Sequence, residues 1–418
     1  MIIVLLLILA TAAGEALFIA GRNDAPIHKE IAATVGVHGR RTANSDSAHV
    51  SARAALGCLW LGIFVVRVLS HLHEEQAAGL VMGCVFAVLP VPVFIGLIYW
   101  LDRLEAEPPG LILKAFVYGA TGAALFALVV EHSGLMVANV FAAPATVRLL
   151  GPCVLAPAVE EAVKGLILLS LFRGNREDFE NVVDGIVYAA MVGLGFAMTE
   201  NIFYYGGAWI HGGSQKLLAT FALRGLLSPY SHPLFTAMTG IGLGIAAQTS
   251  RQWLKAVAPC CGFAVAVCLH GLWNFAVGWH HFVQVYFLFM VPLFVLVVLL
   301  IRFSLRQEER LLRQQLEPER RSGRLTRDEY EEACSGSARL RCAWGCAWRY
   351  ARRWVSSGDW DASGGWDEWR QRRKLQVVAR EMAFHRSREA EMKVEQCAKY
   401  LQMLETCRGP QPLPAPTA

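Results

Sequence analysis

Charged residues are scarce in this sequence. Of its 418 residues only 17% are Asp, Glu, Lys or Arg, whereas 55% are hydrophobic. A typical soluble globular domain carries about 25% charged residues. The shortage of charge therefore excludes an ordinary soluble protein and predicts an all-α, polytopic bundle of transmembrane helices.

Several familiar functional signatures are also missing. The cysteines form no Cys-x-x-Cys pair and no His/Cys cluster at zinc-finger spacing. There is no His-Glu-x-x-His, Gly-x-Ser-x-Gly or Walker loop, which excludes the commonest motifs of metalloproteases, serine hydrolases and nucleotide hydrolases. No nucleic-acid-binding motif occurs, so nucleic acid is not expected as a partner.

Long apolar stretches dominate the first three quarters of the chain. Because about 20 apolar residues cross a bilayer, we predict eight or nine spans. These stretches are 2–20, 54–72, 79–101, 111–131, 149–172, 182–205, 229–249, 256–279 and 282–303. The first could be a secretory signal, but no basic residue precedes it, which favours a membrane anchor.

Composition also predicts three regions. Residues 1–78 form membrane segments joined by a polar cytoplasmic loop, 79–303 form the core, and 304–418 form a charged tail. Arginines follow the last span, which places the tail in the cytoplasm. Within the tail we predict a capping box at Thr326, an amphipathic helix over 344–354 that could lie along the inner leaflet, a long charged helix over 367–407 and a disordered Pro-rich end, 409–418.

Ionisable and amide side chains interrupt four of the predicted spans. Each ionisable group costs on the order of 2.5–3.5 kcal/mol at that depth, so such groups are functional candidates by default. The residues are Glu160 and Glu161 with Lys164, Glu200 with Asn201, His232, and His270 with Asn274. With about 1.5 Å of rise per residue, all four groups fall in the outer half of the membrane, where we expect them to meet.

These residue types suit hydrolysis. A buried carboxylate can deprotonate water, and imidazole and amide groups can polarise a carbonyl. Lys164 shares a helical face with Glu160 as an i,i+4 pair, whereas Glu161 is expected to point elsewhere. A metal-bound hydroxide, with zinc or a similar ion on Glu160, Glu200, His232 and His270, is the alternative chemistry, although we expect no cofactor.

Residues 98–303 resemble the PrsW family of intramembrane proteases, which is related to the CAAX prenyl proteases. The resemblance is carried by the order and spacing of several short motifs. They are Leu101-Asp-Arg-Leu-Glu-Ala-Glu-Pro108, Glu160-Glu-Ala-Val-Lys164, Asp184-Gly-Ile-Val-Tyr188, Gly195-Phe-Ala-Met-Thr-Glu-Asn201, Ser231-His232 and His270-Gly-Leu-Trp-Asn274.

The resemblance implies an enzyme of the bacterial plasma membrane that cuts a membrane-anchored protein, such as an anti-sigma factor, on its extracytoplasmic side. It implies that Glu160 and Glu161 are the essential glutamate pair, Glu200 the third acid, and His232 and His270 the two histidines. Family members have been described both as metalloproteases and as glutamic-type enzymes. Asn274 replaces an aspartate of the founding members, which favours an oxyanion role over metal ligation.

Two other functions fit intramembrane polar groups. An ion-coupled transporter also uses buried Glu, Lys and His, but the sequence shows none of the internal symmetry typical of transporters. A membrane scaffold whose tail recruits cytoplasmic partners is the third reading. We predict the protease, with Glu160 activating water, Glu161 and Glu200 holding it, and His232, His270 and Asn274 polarising the scissile carbonyl.

Overall fold

The computed structural model describes residues 30–31, 33–35, 74–101, 107–176, 178–279, 281–357, 364–388 and 394–408. Among these residues every regular element is a helix, which confirms the predicted all-α fold. The predicted spans 2–20 and 54–72, residues 102–106 of the first family motif and the Pro-rich end lie outside the described residues.

The chain divides into two compact units, with the main boundary at Ile301. The helices of the first unit are α1 (Glu74–Val88), α2 (Val91–Leu101), α3 (Pro109–Tyr118), α4 (Ala124–Phe141), α5 (Pro144–Leu150), α6 (Ala156–Gly174), α7 (Val182–Phe221), α8 (Ser231–Gln248), α9 (Gln252–Gly278) and α10 (Phe282–Val285). Helix α11 (Val291–Arg321) supplies residues to both units. The second unit adds α12 (Arg327–Cys334), α13 (Gly336–Ser357), α14 (Gly364–Arg388) and α15 (Val394–Arg408).

Five helical stretches of the described residues are long and apolar enough to cross a membrane. They are Glu75–Trp100, Pro109–Phe141, Val182–Gln248, Gln252–Gly278 and Phe282–Arg321. The predicted number of eight or nine spans is therefore not confirmed. The predicted span 149–172 is present as α5, a π-helical turn and α6, but Glu160, Glu161 and Lys164 make α6 too charged to join the five.

Glycine lets the central helices α7 and α8 approach closely. A Cβ built on Gly185 would lie 2.1 Å from the carbonyl oxygen of Gly240, and a Cβ on Gly240 would lie 2.1 Å from that of Gly185. Without a hydrophobic driving force between helices in lipid, such backbone contact is a main source of helix association. The start of α7 is fixed by a capping box between Asn181 and Asp184, so the carboxylate of Asp184 caps the helix.

Gly185→Ala should destabilise the bundle by about 1–3 kcal/mol, because the new methyl group overlaps backbone that cannot rotate away. Gly207→Ala is the matched control on the same helix, since a Cβ there meets nothing within 4 Å. The control should be neutral or up to about 1 kcal/mol more stable, because alanine favours helix. Denaturant titration of the purified protein in micelles measures both changes, and equal stabilities would contradict this packing.

Helix α7 breaks at Gly213, whose φ of 60° is left-handed and favours glycine. Beyond the break the chain returns along α7: Phe221 packs edge-on to Phe86 and Tyr205, with ring centroids 5.1 and 5.8 Å apart. A π-helical turn, Ala222–Leu227, follows. Residues 216–227 therefore have the geometry of a short re-entrant piece, which directs Arg224 back toward α7.

The tail is a folded unit with its own apolar core. Leu312 and Leu316 of α11 pack with Tyr330 of α12, with residues of α14 and α15, and with Ile31 and Val35 from the loop that the sequence treats as a polar linker. The predicted capping box is confirmed, because Thr326 accepts from the Glu329 N–H and Glu329 accepts from the Thr326 N–H. Burial in this unit raises the pKa of Cys334 to about 12, which keeps its thiol protonated.

The single long helix predicted over 367–407 is wrong. The structure has two helices, α14 and α15, and Tyr400 Oη lies 3.5 Å from His385 Nδ1. In one straight helix these residues would be about 22 Å apart. The apolar residues Val378, Met382 and Leu404 need a common core, and burying them requires the chain to fold back on itself.

Candidate active site

Four helices bring six ionisable side chains into one cluster. Helix α6 supplies Glu160, Glu161 and Lys164; α7 supplies Glu200; α8 supplies His232; and α9 supplies His270. All but Glu200 are buried. Isolated charges are costly at such positions, and the cluster offsets that cost by pairing them.

Lys164 is the centre of the cluster. Its Nζ donates to Glu160 Oε2 at 3.1 Å and to Glu161 Oε1 at 2.9 Å, and lies 3.2 Å from His232 Nδ1. It also lies 3.7 Å from the centroid of the Phe196 ring, a cation–π contact. The expectation that Glu161 points away from Lys164 is wrong. Residues three apart on a helix are neighbours, as are residues four apart, so Lys164 reaches Glu161 as well as Glu160.

Glu161 is fully engaged in hydrogen bonds. Its Oε1 accepts from Lys164 and from His270 Nδ1 at 3.1 Å, and its Oε2 accepts from the Thr236 hydroxyl at 3.1 Å. This carboxylate therefore holds its neighbours in place. Sequence reasoning missed Thr236, because a threonine in an apolar helix carries no signal of its own.

Hydrogen-bond partners fix the tautomers of both histidines. The Lys164 ammonium can only donate, so His232 Nδ1 is an acceptor and the Nε2–H donates to Glu200 Oε2 at 2.7 Å. Glu161 accepts from His270 Nδ1–H, so in the neutral form of His270 the lone pair is on Nε2. His232, which accepts from Lys164 on Nδ1, carries its one N–H on Nε2.

Arg224 secures Glu200 and Asn201. Its Nη2 donates to Glu200, its Nε donates to Asn201 Oδ1 at 2.6 Å, and its guanidinium stacks 3.8 Å from the Tyr204 ring centroid. The sequence marks Arg224 only as an exception to the distribution of basic residues. The signal that could have revealed its role is an arginine inside an otherwise apolar run, which requires an acid as partner.

Glu160 is less constrained than Glu161. Its Oε2 accepts from Lys164 and lies 3.9 Å from both His270 Nε2 and His232 Nδ1. Glu160 Oε2 and His270 Nε2 are both acceptors, so at this distance they are suited to share a group that donates to each, such as a water molecule. A carboxylate placed in this way suits a general base.

The same atoms form a possible metal site. One carboxylate oxygen of Glu160 and one nitrogen each of His232 and His270 lie within 4.8 Å of one another. Two imidazoles and a carboxylate are a common zinc set, and Glu161 accepts from the other ring nitrogen of His270, as carboxylates often do beside a metal-binding histidine, so the donor types fit a divalent metal. Lys164 Nζ contacts two of the three ligand atoms, however, and would have to move aside for an ion. Glu200 lies outside the group because it binds the other nitrogen of His232.

Asn274 satisfies a backbone carbonyl next to the cluster. In the π-helical turn before α6 the carbonyl of Gly151 accepts from Ala156, so the next carbonyl, that of Pro152, would require an N–H from residue 157. Residue 157 is proline and has none. Asn274 Nδ2 donates to Pro152 O at 2.9 Å instead. Its predicted role in polarising the scissile carbonyl stays a prediction.

Two further features border the cluster. Glu131 of α4 lies within electrostatic range of Glu160, Glu200 and Lys164, and its Oε1 is buried without a hydrogen bond among the described residues. A cavity of about 10 Å³, lined in part by His232 and Trp273, has room for about one water. Sequence reasoning missed Glu131 because it lies at the end of a predicted span, where a glutamate is usually solvated.

Comparison with known proteins identifies the family of this chain. A family model described as "PrsW family intramembrane metalloprotease" matches residues 107–297. Protease PrsW of Geobacillus kaustophilus is 30% identical over 190 residues, which cover 45% of this chain and 76% of that protein. Protease PrsW of Oceanobacillus iheyensis is 28% identical, over 50% of this chain and 90% of that protein. Protease PrsW of Bacillus subtilis is 29% identical, over 45% of this chain and 79% of that protein. No solved structure matches the chain.

The predicted enzyme is thereby confirmed over the transporter and the scaffold. The matched region contains all six residues of the cluster, and the relatives are named as proteases. A protease embedded in a lipid bilayer acts on a membrane protein. The chain therefore belongs to the PrsW family of intramembrane proteases and is a multi-pass membrane peptidase.

Proposed function

We propose that this enzyme hydrolyses a peptide bond of a membrane-anchored protein, with Glu160 as the base that activates water. The observation that carries the proposal is the contact of Glu160, Lys164, His232 and His270 across three helices. A water that donates to Glu160 Oε2 and His270 Nε2 is held with its lone pairs free to attack a carbonyl. Glu161 keeps His270 in the tautomer that this requires.

Glu160 both accepts and returns the proton that the reaction moves. The carboxylate takes a proton from water, the hydroxide oxygen attacks the scissile carbonyl carbon, and Glu160 returns the proton to the leaving nitrogen as the C–N bond breaks. Lys164 lies next to Glu160 and stabilises the oxyanion electrostatically, and His232 holds Lys164 in place by accepting from it on Nδ1. A divalent metal held by Glu160, His232 and His270 would supply Lewis acidity to the same water.

Cleavage assays test this mechanism directly. The purified full chain in nanodiscs is mixed with membrane-anchored substrates, among them the anti-sigma factor class that the family resemblance implies, with and without a chelator. Cleavage that persists in the chelator supports the glutamate-activated water. Activity that is lost in the chelator and restored by zinc would replace it with the metal chemistry, and no cleavage of any substrate would contradict the assigned substrate class.

The packing of the second unit supports a topology in which the loop after the first predicted span and the C-terminal tail lie on the same side of the membrane. Ile31 and Val35 share a core with Leu312 and Leu316, so the loop after the first predicted span and the tail lie in one compartment. Eight predicted spans separate them, and an even number of crossings is what this packing requires. Arg302, Arg306 and Arg310 favour the cytoplasm of a bacterial cell for that compartment, which leaves the catalytic cluster nearer the opposite surface.

Arg224→Lys should lower turnover about 10- to 100-fold while the protein still folds. Lysine keeps the positive charge beside Glu200 but cannot donate to Glu200 and Asn201 from one rigid fork, so the acid that orients His232 becomes loose. Measured kcat should fall more than KM rises, because the effect is on His232 rather than on substrate binding. An unchanged kcat would show that Arg224 does not position Glu200.

A further inference from the structure

One face of helix α13 in the second unit exposes two tryptophans. Trp344 and Trp348 are 74% and 72% exposed. Among the described residues of the folded tail beyond α11 they are the exposed large hydrophobic residues. Because the other large apolar side chains described beyond α11 are buried or partly buried, such exposure marks an interaction surface.

The exposed residues form a narrow stripe. Ser337, Arg341, Trp344 and Trp348 are all exposed, and their spacing of four, three and four residues places them on one side of the helix. The opposite side carries Cys346, which is buried. Helix α13 therefore packs against its own unit through one side and presents the tryptophan stripe on the other.

The charge of α13 indicates what this stripe binds. Residues 336–357 contain five arginines and no acidic residue. The combination of tryptophan, which prefers the headgroup region of a bilayer, with a purely basic segment is complementary to an anionic lipid surface. Helix α11, which contributes Arg302–Arg321 to this unit, also belongs to a stretch that is long and apolar enough to cross a membrane, so a bilayer is within reach of the chain.

We propose that the stripe formed by Ser337, Arg341, Trp344 and Trp348 docks the folded tail onto an anionic membrane surface. The tryptophan rings enter the headgroup layer, and the exposed Arg341 attracts acidic lipid. This surface uses none of the residues of the catalytic cluster, so the proposal stands or falls independently of the proposed mechanism.

Photo-crosslinking of the full chain tests the docking. Benzoylphenylalanine replaces Trp348 or, as the matched control, the exposed Thr406 of α15, and each protein is placed in nanodiscs of phosphatidylcholine alone or with about one third phosphatidylglycerol. We expect lipid adducts at position 348 in the anionic nanodiscs, at least several-fold fewer in phosphatidylcholine or at high salt, and few at position 406. Combining Arg341→Glu with Trp344→Ser should reduce the adducts at 348.

Three results would overturn the proposal. Adducts of equal yield at 348 and 406 would show that the tail only drifts near the bilayer. Cross-links from position 348 to a second copy of the chain or to another protein would show that the stripe is a protein interface. The absence of lipid adducts at 348 in anionic nanodiscs would show that the stripe stays in water.

Discussion

Glu160→Gln should abolish proteolysis while the protein still inserts and folds. Glutamine has nearly the same shape and its carbonyl oxygen still accepts from Lys164, but it cannot take a proton from water. General-base catalysis contributes about 10²- to 10⁴-fold, so turnover should fall by that factor. Single-turnover cleavage of a membrane-anchored substrate in nanodiscs measures the change, and denaturant titration verifies the fold.

Glu131→Gln is the matched control for this experiment. It removes a carboxyl group within electrostatic range of Glu160 without removing a hydrogen bond of the cluster. We expect cleavage within about tenfold of the original protein, because the change affects the field around the base and not the base itself. Wild-type turnover by Glu160→Gln, or equal losses in the two variants, would refute the role of Glu160 as the base.

Much of the site was predictable because a membrane makes polar residues conspicuous. Glu160, Glu161, Glu200, His232 and His270 stand out against apolar sequence, and helical rise alone places them at a similar depth. The structure brings these five residues together around Lys164. The depth of each residue in the membrane was enough for this prediction, because helices that cross the same bilayer lie side by side and bring residues of equal depth to the same level.

The partners of those residues were not predictable, because they depend on rotation about each helix and on chain reversals. Arg224 reaches Glu200 only because the chain breaks at Gly213 and returns along α7. Asn274 binds Pro152 because a π-helical turn followed by Pro157 leaves one carbonyl without a donor. Periodicity in sequence does not reveal a π-turn, and its effect on neighbouring helices appears only in three dimensions.

The tail illustrates a different limit. The helices predicted in the tail are present, yet composition suggests one long solvated helix over 367–407 where the structure has a packed unit. Short apolar groups, such as Val377 and Val378 in α14 and Met403 and Leu404 in α15, are weak signals within charged sequence. They become a core only after the two helices and residues 30–35 are assembled.

Lys164→Met should destabilise the protein by about 3–5 kcal/mol, the second large effect that we expect. The ammonium is fully buried and is the cation that pairs with both Glu160 and Glu161. Removing one partner of a buried ion pair leaves uncompensated charge, which costs far more than the pair itself contributes. Arg313→Met is the matched control, because its partner Glu331 is partly exposed and that ion pair should contribute at most about 1 kcal/mol.

A double variant identifies the cause. Combining Lys164→Met with Glu161→Gln removes one of the stranded carboxylates, so the double variant should be more stable than the sum of the two single changes by about 2 kcal/mol or more. Denaturant titration in micelles gives all four free energies of unfolding. Strict additivity would mean that Lys164 stabilises α6 through packing on Phe196 and not through its ion pair with Glu161.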